Sequence, residues 1–286
     1  MKAKLVVNSF IQTKKFTDIY EFFLNSSKKF NISFEIITTS TAYKDLFNDG
    51  FCGVDFVIFW DKDIYLARQI EELGIKVFNS SKCIEICDNK ALTYLALKNA
   101  KLPIPTTILA PKTFDAFGYN NLDFYFNAKE ILSLPMVIKE NYGSFGAQVY
   151  LADSDEKAKE IISSLGAKEF LMQEFIASSY GKDIRVNVVG SNIVSAMERI
   201  NENDFRSNIT NGGIMKKTTL SKEFEQVALL ASKAVGADFC GVDIMFSKTN
   251  SPIVCEVNSN PNFKSSFECN GVDISYKILE YIVGNL

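Results

Sequence analysis

Two carboxylates and an amide lie on neighbouring apolar segments near the end of the chain. The stretch GVDIMFSKTNSPIVCEVNSNP contains Asp243, Glu256 and Asn258. If its two strands pair about the midpoint between residues 249 and 250, Asp243 lies opposite Glu256, with Cβ atoms about 5 Å apart. Asn258 then points to the same face, because side chains alternate along a strand. Opposed carboxylates need a cation, and Mg²⁺ binds such oxygen sets together with phosphate oxygens. The alternative is a shifted register that leaves one acid in solvent.

A lysine and a glycine loop form a second set. The apolar run PMVI leads into Lys139, and the loop that follows contains Gly143, Ser144, Phe145 and Gly146. Backbone N–H groups of such a loop bind anions, and the lysine adds a point charge, so the segment predicts a phosphate site. It matches neither a P-loop nor a Rossmann fingerprint. The alternative is a hairpin turn that needs glycine, with Lys139 solvated.

Two further segments carry weaker signals. The stretch LMQEFIASSYGKDIRV suits a purine slot, in which backbone groups and an apolar side chain contact adenine and a carboxylate holds the ribose; its residues are Gln173, Glu174, Phe175, Ile176 and Asp183. In AMERINENDFRSNITNGG, Arg199 and Arg206 bracket a polar loop that also contains Asn208. Paired arginines suit bidentate binding of carboxylate or phosphate. The alternatives are an ordinary strand with its loop and a solvated surface loop.

Composition excludes several kinds of chemistry. The 286 residues include no histidine, which rules out Ser-His-Asp and Cys-His nucleophilic machinery and histidine-ligated metals. The six cysteines form no C-x-x-C pair, so reduced thiols and a cytoplasmic location are expected. The net charge is −3, and no apolar run approaches the roughly 18 residues of a membrane span. We therefore expect neither nucleic acid nor a membrane as a partner.

The elements that must position these residues fall into two regions. Up to about residue 85, strands alternate with helices, which predicts a small parallel sheet; the predicted strands are 3–8, 33–38, 55–60 and 75–79, and the helices are 17–30 and 63–74. From 135 on, strands dominate and two helices, 154–166 and 221–236, interrupt them, which predicts an α+β region with an antiparallel sheet. Between the regions we expect a helix that starts at Asp88 and a loop-rich stretch over 110–128.

The sequence resembles the ATP-grasp superfamily, most closely the RimK-like carboxylate–amine ligases of the alpha-L-glutamate type. The resemblance lies in five motifs that occur in this order: the lysine in DNKAL, VIKENYGSFG, QEFI, FRSN…GG and D…E-x-N. The resemblance covers about residues 85 to 265. It implies an α/β N-terminal domain over 1–87, followed by an α+β ATP-grasp fold. The two lobes of that fold, 88–182 and 183–286, would hold the nucleotide between them.

The resemblance also implies roles for individual residues. Those expected to bind ATP are Lys90, Lys139, Gly143, Ser144, Phe145, Gly146, Gln173, Glu174, Phe175, Ile176 and Asp183. Asp243, Glu256 and Asn258 are expected to hold two Mg²⁺ ions, with Mn²⁺ as an alternative. Arg199, Arg206 and Asn208 are expected to steady the transferred phosphoryl group and the substrate carboxylate.

The implied reaction is ATP-dependent. The γ-phosphoryl group passes to a carboxylate, and an amine attacks the acylphosphate to form an amide or peptide bond with an amino acid or peptide substrate. Two other functions fit the same scaffold: an ATP-binding regulatory protein and an ATP-grasp kinase. The resemblance also suggests a homodimer or homotetramer.

Two segments depart from the family pattern. Asn260, Pro261, Asn262, Phe263 and Lys264 follow E-V-N-S, where many members have S-P-G. Residues 209–211 separate FRSN from the two glycines, where some relatives have basic residues. Both segments are expected near the amine acceptor, so the acceptor, and glutamate as donor or acceptor, stay open.

Overall fold

Three β-sheets organise the chain. The computed structural model describes residues 1–11, 13–144, 146–209 and 212–286. Phe145 of the predicted phosphate loop lies outside the described residues. No helix in the described part of the chain is long and apolar enough to cross a membrane.

The first sheet is parallel, with the strand order β2-β1-β3-β4. Its strands are β1 (Lys2–Val7), β2 (Ser33–Thr38), β3 (Phe56–Trp60) and β4 (Lys76–Phe78). The associated helices are α1 (Lys14–Lys29), α2 (Thr39–Asp45), α3 (Ile64–Glu72) and α4 (Ser81–Asp88). All five residues of β3 are buried, as expected for an apolar central strand that is covered on both faces. The predicted α/β character of this region is confirmed.

The second sheet is antiparallel, with the order β5-β8-β6-β7. Its strands are β5 (Thr107–Leu109), β6 (Met136–Glu140), β7 (Val149–Ala152) and β8 (Phe170–Glu174). The helices in this part of the chain are α5 (Lys90–Asn99), α6 (Asp123–Leu132) and α7 (Asp155–Leu165).

One local expectation for this part of the chain holds only in part, and another is wrong. The stretch 110–128 is not all loop, since α6 begins at Asp123 and buries Tyr125, Ala128 and Leu132 against the second sheet. The N-cap of α5 is Asn89, whose Oδ1 accepts from the N–H groups of α5 at 3.0 and 3.2 Å. Asp88 instead ends the preceding helix α4.

The third sheet has five antiparallel strands in the order β11-β10-β9-β12-β13. The strands are β9 (Lys182–Val189), β10 (Asn192–Ile200), β11 (Ile214–Lys217), β12 (Phe239–Phe246) and β13 (Pro252–Asn258). The helices that follow β11 and β13 are α8 (Lys222–Ala234), α9 (Lys264–Asn270) and α10 (Ile274–Gly284). Ile184, Val186 and Val188 pack under α8, and the residues between them on β9 carry polar side chains to the opposite face.

Two helices pack outside the predicted domain limits. Leu97 of α5 lies in the core of the five-stranded sheet beside Val186, not in the core of the second sheet. Ile278 of α10 packs with Leu5 and Phe23 in the core of the first sheet. The limits 88–182 and 183–286 therefore do not follow the packing units at these two helices. The long-range apolar contacts that decide this are not visible in local patterns.

A buried asparagine joins the first sheet to the third. Asn79 is fully buried, and its Nδ2 donates to the carbonyl oxygens of Phe239 and Ser259, both at 2.8 Å. Its Oδ1 accepts from the N–H of Asp238 at 2.7 Å and of Phe239 at 3.3 Å. One side chain thus satisfies backbone groups of two strand ends that border the cavity described below.

Replacing this asparagine tests how firmly the sheets are joined. Asn79→Ala leaves buried backbone donors and acceptors without partners, so we expect the free energy of unfolding to fall by about 3 kcal/mol. Urea unfolding followed by the fluorescence of Trp60, the single tryptophan, measures it. Asn48→Ala, at an exposed position, is the control and should change stability by less than about 0.5 kcal/mol. Equal effects of the two substitutions would contradict the structural role of Asn79.

Candidate active site

A cavity of about 530 Å³ is bordered by residues from all three sheets. Every described residue that the sequence predicts for the site lines it: Lys90, Lys139, Gly143, Ser144, Gly146, Gln173, Glu174, Phe175, Ile176, Asp183, Arg199, Arg206, Asn208, Asp243, Glu256 and Asn258. Residues far apart in sequence therefore meet in one place. Their individual roles stay predictions.

The register of β12 and β13 brings the two carboxylates together. Asp243 pairs with Glu256, as predicted from the symmetry of the hairpin. The next pair is Ile244 with Val254, so Cys255 is an extra residue that forms a β-bulge. Without the bulge, the pairing of Ile244 with Val254 would continue as Asp243 with Cys255, and Glu256 would turn to the apolar face. The bulge therefore aims Glu256 into the cavity.

Two arginines hold Asp243. It is 2% exposed, its Oδ1 accepts from Nε of Arg185, and its Oδ2 accepts from Nη2 of the same arginine at 2.7 Å. Arg199 adds a contact from Nη2 to Oδ2 at 2.9 Å. Burial raises the pKa of a carboxyl group, but here the two guanidinium groups outweigh burial and hold the pKa of Asp243 well below its usual range. The carboxylate is therefore charged at neutral pH.

Asp183 joins Arg185, Arg199 and Asp243 in a buried charged layer. Nε of Arg199 donates to Oδ1 of Asp183 at 2.7 Å, and Nη2 of Arg199 donates to Oδ2. Burial raises the pKa of Asp183, and Arg199 opposes that shift. Asp183 therefore orients Arg199 through both of its carboxylate oxygens. Its predicted contact with ribose hydroxyls stays a prediction.

Lys139 and Lys90 supply positive charge opposite the acids. Lys139 is 9% exposed, and its Nζ lies 3.8 Å from Sγ of Cys255. Burial raises the pKa of Cys255 to about 11, so the thiol stays neutral and does not cancel the lysine charge. Burial also lowers the pKa of Lys90, while Glu256 raises it and Lys139 lowers it further. The two lysines and Glu256 therefore lie within electrostatic reach of one another.

Cations from three parts of the chain hold the glycine loop. Nζ of Lys90 donates to the carbonyl oxygen of Gly143 at 3.2 Å. Nη1 of Arg206 donates to that of Gly146 at 2.7 Å. Lys62, from the N-terminal region, approaches Oγ of Ser144 at 3.1 Å. The loop thus lies against the side chains that are predicted to bind phosphate.

Glycine is required at both described glycine positions of this loop. A Cβ on Gly143 would lie 2.5 Å from Oε1 of Gln148, and Gly146 has a φ of +73°. A side chain at position 143 would require Gln148 to move, and one at position 146 would strain the backbone.

The segment predicted to contact adenine is partly engaged within the protein. Nε2 of Gln173 donates to Oγ1 of Thr107 at 2.8 Å. The N–H of Glu174 donates to the carbonyl oxygen of Thr106 at 2.9 Å, so it is not free to bind a purine. Phe175 has edge contacts with two other aromatic rings. The apolar surface predicted for a purine ring is present, but one of the expected backbone donors is already used.

Several residues that line the cavity escape prediction from sequence. Arg185 follows Asp183 by two residues on β9, so strand periodicity could have placed it on the same face. Asp61 and Lys62 follow β3 and also line the cavity, together with Asn260, whose segment is expected near the amine acceptor. Their presence in the cavity depends on how the first sheet docks, which local patterns do not reveal.

Comparison with known proteins decides the family. Residues 87–282, more than half of the chain, match the RimK-like ATP-grasp domain.

The chain belongs to the RimK-like ATP-grasp family.

Two relatives illustrate the family membership, and one solved structure illustrates the fold. "Uncharacterized protein MG012 homolog" of Mycoplasma pneumoniae is 33% identical over 246 residues, which cover 85% of this chain and 83% of that protein. A protein of Trichodesmium erythraeum named "Probable alpha-L-glutamate ligase" is 34% identical over 224 residues, or 77% and 72% of the two chains. The D-alanine–D-alanine ligase of Bacillus anthracis, solved with ATP, superposes with a TM-score of 0.77 at 19% identity, over 99% of this chain and 96% of the other.

The comparisons confirm two expectations. The similarity to D-alanine–D-alanine ligase shows the fold, so the expected ATP-grasp architecture after an α/β N-terminal domain is confirmed. The expected class, an ATP-dependent carbon–nitrogen ligase of the RimK-like type, is confirmed at the level of the family.

The oxygen donors of this ATP-grasp chain fit a hard cation that shares them with a nucleotide. Asp243, Glu256 and Asn258 present two carboxylates and an amide to one cavity, and Nδ2 of Asn258 donates to Oε1 of Glu256 at 3.0 Å. Rotation of that amide would offer its oxygen instead. Among the described residues, no group of three or more Asp, Glu, Cys or His lies close enough to hold a metal ion by itself. The set therefore suits Mg²⁺ that takes its remaining ligands from phosphate oxygens and water.

Removing the shared arginine tests the charged layer. Arg199→Met leaves Asp183 buried without a cation and Asp243 with only one, so we expect the free energy of unfolding to fall by about 3 kcal/mol or more. Urea denaturation measures the change. Arg68→Met, which breaks a partly exposed pair with Glu85, is the control and should cost less than about 1 kcal/mol. A loss as small for Arg199→Met would contradict the role of the layer.

Proposed function

We propose that this protein is an ATP- and Mg²⁺-dependent carboxylate–amine ligase that acts through an acylphosphate. The observation that carries the proposal is the meeting of Asp243, Glu256 and Asn258 with Lys90 and Lys139 in one cavity. Such a set can bind a nucleoside triphosphate with its metal and neutralise charge during phosphoryl transfer. The named ligases among the relatives support the same reaction class.

The chemistry of the cavity favours transfer to a substrate over transfer to the protein. Cys255 lines the cavity, but its pKa of about 11 leaves it protonated at neutral pH. The chain has no histidine to activate a serine. A substrate carboxylate needs no such activation, because it is already an anion. Its oxygen attacks the γ-phosphorus and ADP leaves; an amine then attacks the acyl carbon and phosphate leaves.

The residues present divide this work among them. Lys90 and Lys139 bind phosphate oxygens. Mg²⁺ at the acidic set, which is Asp243, Glu256 and Asn258, would neutralise charge on the transferred group. We propose two ions, with Mn²⁺ as an alternative. Arg199 is held beside this group by Asp183, and Arg206 holds the glycine loop against the cavity. A closed loop keeps water from the acylphosphate until the amine arrives.

The proposed substrates are a carboxylate and an amine of amino acid or peptide type. The names of the relatives support this: one is named for glutamate and the structural neighbour for two alanines. Neither name fixes the pair used by this chain.

The proposed reaction can be tested with hydroxylamine, which traps an acylphosphate as a hydroxamate. Purified protein with ATP, Mg²⁺ and a panel of small carboxylates should release ADP and form one hydroxamate. Lys139→Met and Glu256→Gln should each lower the rate by at least about 100-fold, because each removes a charge that acts on the transferred phosphoryl group.

The control is Glu198→Gln. Glu198 lies on β10, pairs with Lys182 and does not line the cavity, so this variant should keep the wild-type rate within about twofold. Wild-type rates in Lys139→Met or Glu256→Gln would refute the proposal. ADP release with a stable phosphoester and no hydroxamate would instead identify a kinase.

A further inference from the structure

A carboxylate outside the acidic set lines the N-terminal side of the same cavity. Asp61 directly follows β3 at the carboxyl end of the parallel sheet. Asn8 follows the neighbouring strand β1, whose Val7 pairs with Trp60. Loops at the carboxyl ends of parallel strands are where α/β sheets bind ligands. The position of Asp61 is thus one from which a side chain can reach a substrate.

Asp61 is buried without a cation. It is 9% exposed, and its Oδ1 accepts from the N–H of Asp63 at 2.9 Å. Burial raises its pKa, while Asn8 opposes the shift by a hydrogen bond. Among the described residues, no lysine or arginine forms an ion pair with Asp61. A buried carboxylate in this state costs free energy until a positive group pairs with it.

Two lysines that line the cavity, one next to Asp61 in sequence and one four residues beyond Asn260, have acidic partners. Lys62 pairs with Asp88. Lys264 pairs with Asp18 at 2.5 Å. Neither of these pairs involves Asp61.

The surroundings of Asp61 suit an ammonium group. Tyr20 also lines the cavity. Burial and the nearby Asp61 raise the pKa of Tyr20 to about 12, so its hydroxyl stays neutral and can accept a hydrogen bond. An ammonium donates three hydrogen bonds, which a carboxylate and a phenol can share.

Asn260 ties this group to the acidic set. Its Nδ2 donates to the backbone oxygen of Asp61 at 2.9 Å, and its buried Oδ1 accepts no hydrogen bond from the described residues. An unsatisfied buried acceptor favours the arrival of a donor. Because Asn260 lies two residues beyond Asn258, Asp61 lies beside the end of the strand that carries the acidic set.

We propose that Asp61 binds the ammonium group of the amine substrate and so selects amines that are charged at neutral pH, such as the α-amino group of an amino acid or peptide. The ammonium gives one proton to the Asp61 carboxylate, and the neutral amine then attacks the acyl carbon as phosphate leaves. This inference rests on the proposed ligase function. It gives the amine a place between the N-terminal sheet and the end of β13. The segment 173–176 then serves the nucleotide, and the residues around Asp61 serve the amine.

The test compares two nucleophiles in Asp61→Asn. Hydroxylamine is neutral at pH 7 and does not need an anionic site, so hydroxamate formation should stay within about twofold of wild type. With ammonium chloride, or with an equimolar pool of the twenty amino acids, kcat/KM for amide formation should fall at least about 10-fold, mainly through KM. Asp61→Glu should recover part of that loss because it restores the charge.

Asp63→Asn is the matched control. Asp63 caps α3 and does not line the cavity, and asparagine also caps helices well, so both rates should stay near wild type. Equal rates with both nucleophiles in Asp61→Asn, an equal fall of both, or a wild-type enzyme that forms hydroxamate but no amide from either amine probe would overturn the role of Asp61. A wild-type enzyme that forms no hydroxamate would instead refute the ligase function itself.

Discussion

The site depends on keeping several carboxylates charged on one buried face of a β-sheet. Asp183 and Asp243 lie on adjacent strands with little access to water, and the second of them also faces Glu256. Like charges so placed repel one another and are poorly solvated. Arg185 and Arg199 offset both effects by donating to the two aspartates. The arginines thus make it possible for an acidic surface to exist before any cation or nucleotide binds.

The two opposed carboxylates therefore differ in character. Asp243 is held in place and kept charged at neutral pH by its arginines, whereas Glu256 is half-buried, points into the cavity and has an asparagine as its hydrogen-bond partner. The fixed member sets the geometry, and the freer member can adjust to a bound ion. Pre-organisation of this kind lowers the reorganisation needed when charge moves during phosphoryl transfer. The glycine loop, held by Arg206 and Lys90, also lines the cavity.

Local sequence patterns predict much of this arrangement. Strand alternation and hairpin symmetry place Asp243 opposite Glu256, and apolar runs predict the parallel strands of the first sheet. The same symmetry does not reveal that a bulge at Cys255 is needed to reach that register, since a bulge depends on the length of the turn and on both neighbouring strands. The prediction is therefore right about the pairing of the two acids but does not include the bulge that produces it.

What the patterns miss depends on long-range packing. Asp183 is chemically suited to ribose, but only the folded sheet shows that Arg199 takes both of its oxygens. The helix α6 reads as loop because its buried face makes sense only against the second sheet. Asp61 has no motif around it, and its place in the cavity follows from the docking of the N-terminal sheet against the end of β13.

The transfer of oxygen from the substrate carboxylate to phosphate is the most direct test of the proposed chemistry. The carboxylate that supports turnover is labelled with ¹⁸O in both oxygens, and the released inorganic phosphate is analysed by mass spectrometry. An acylphosphate route predicts one ¹⁸O atom in each phosphate, because the attacking carboxylate oxygen leaves with the phosphoryl group. Phosphate without the label would contradict an acylphosphate and with it the central role proposed for this cavity.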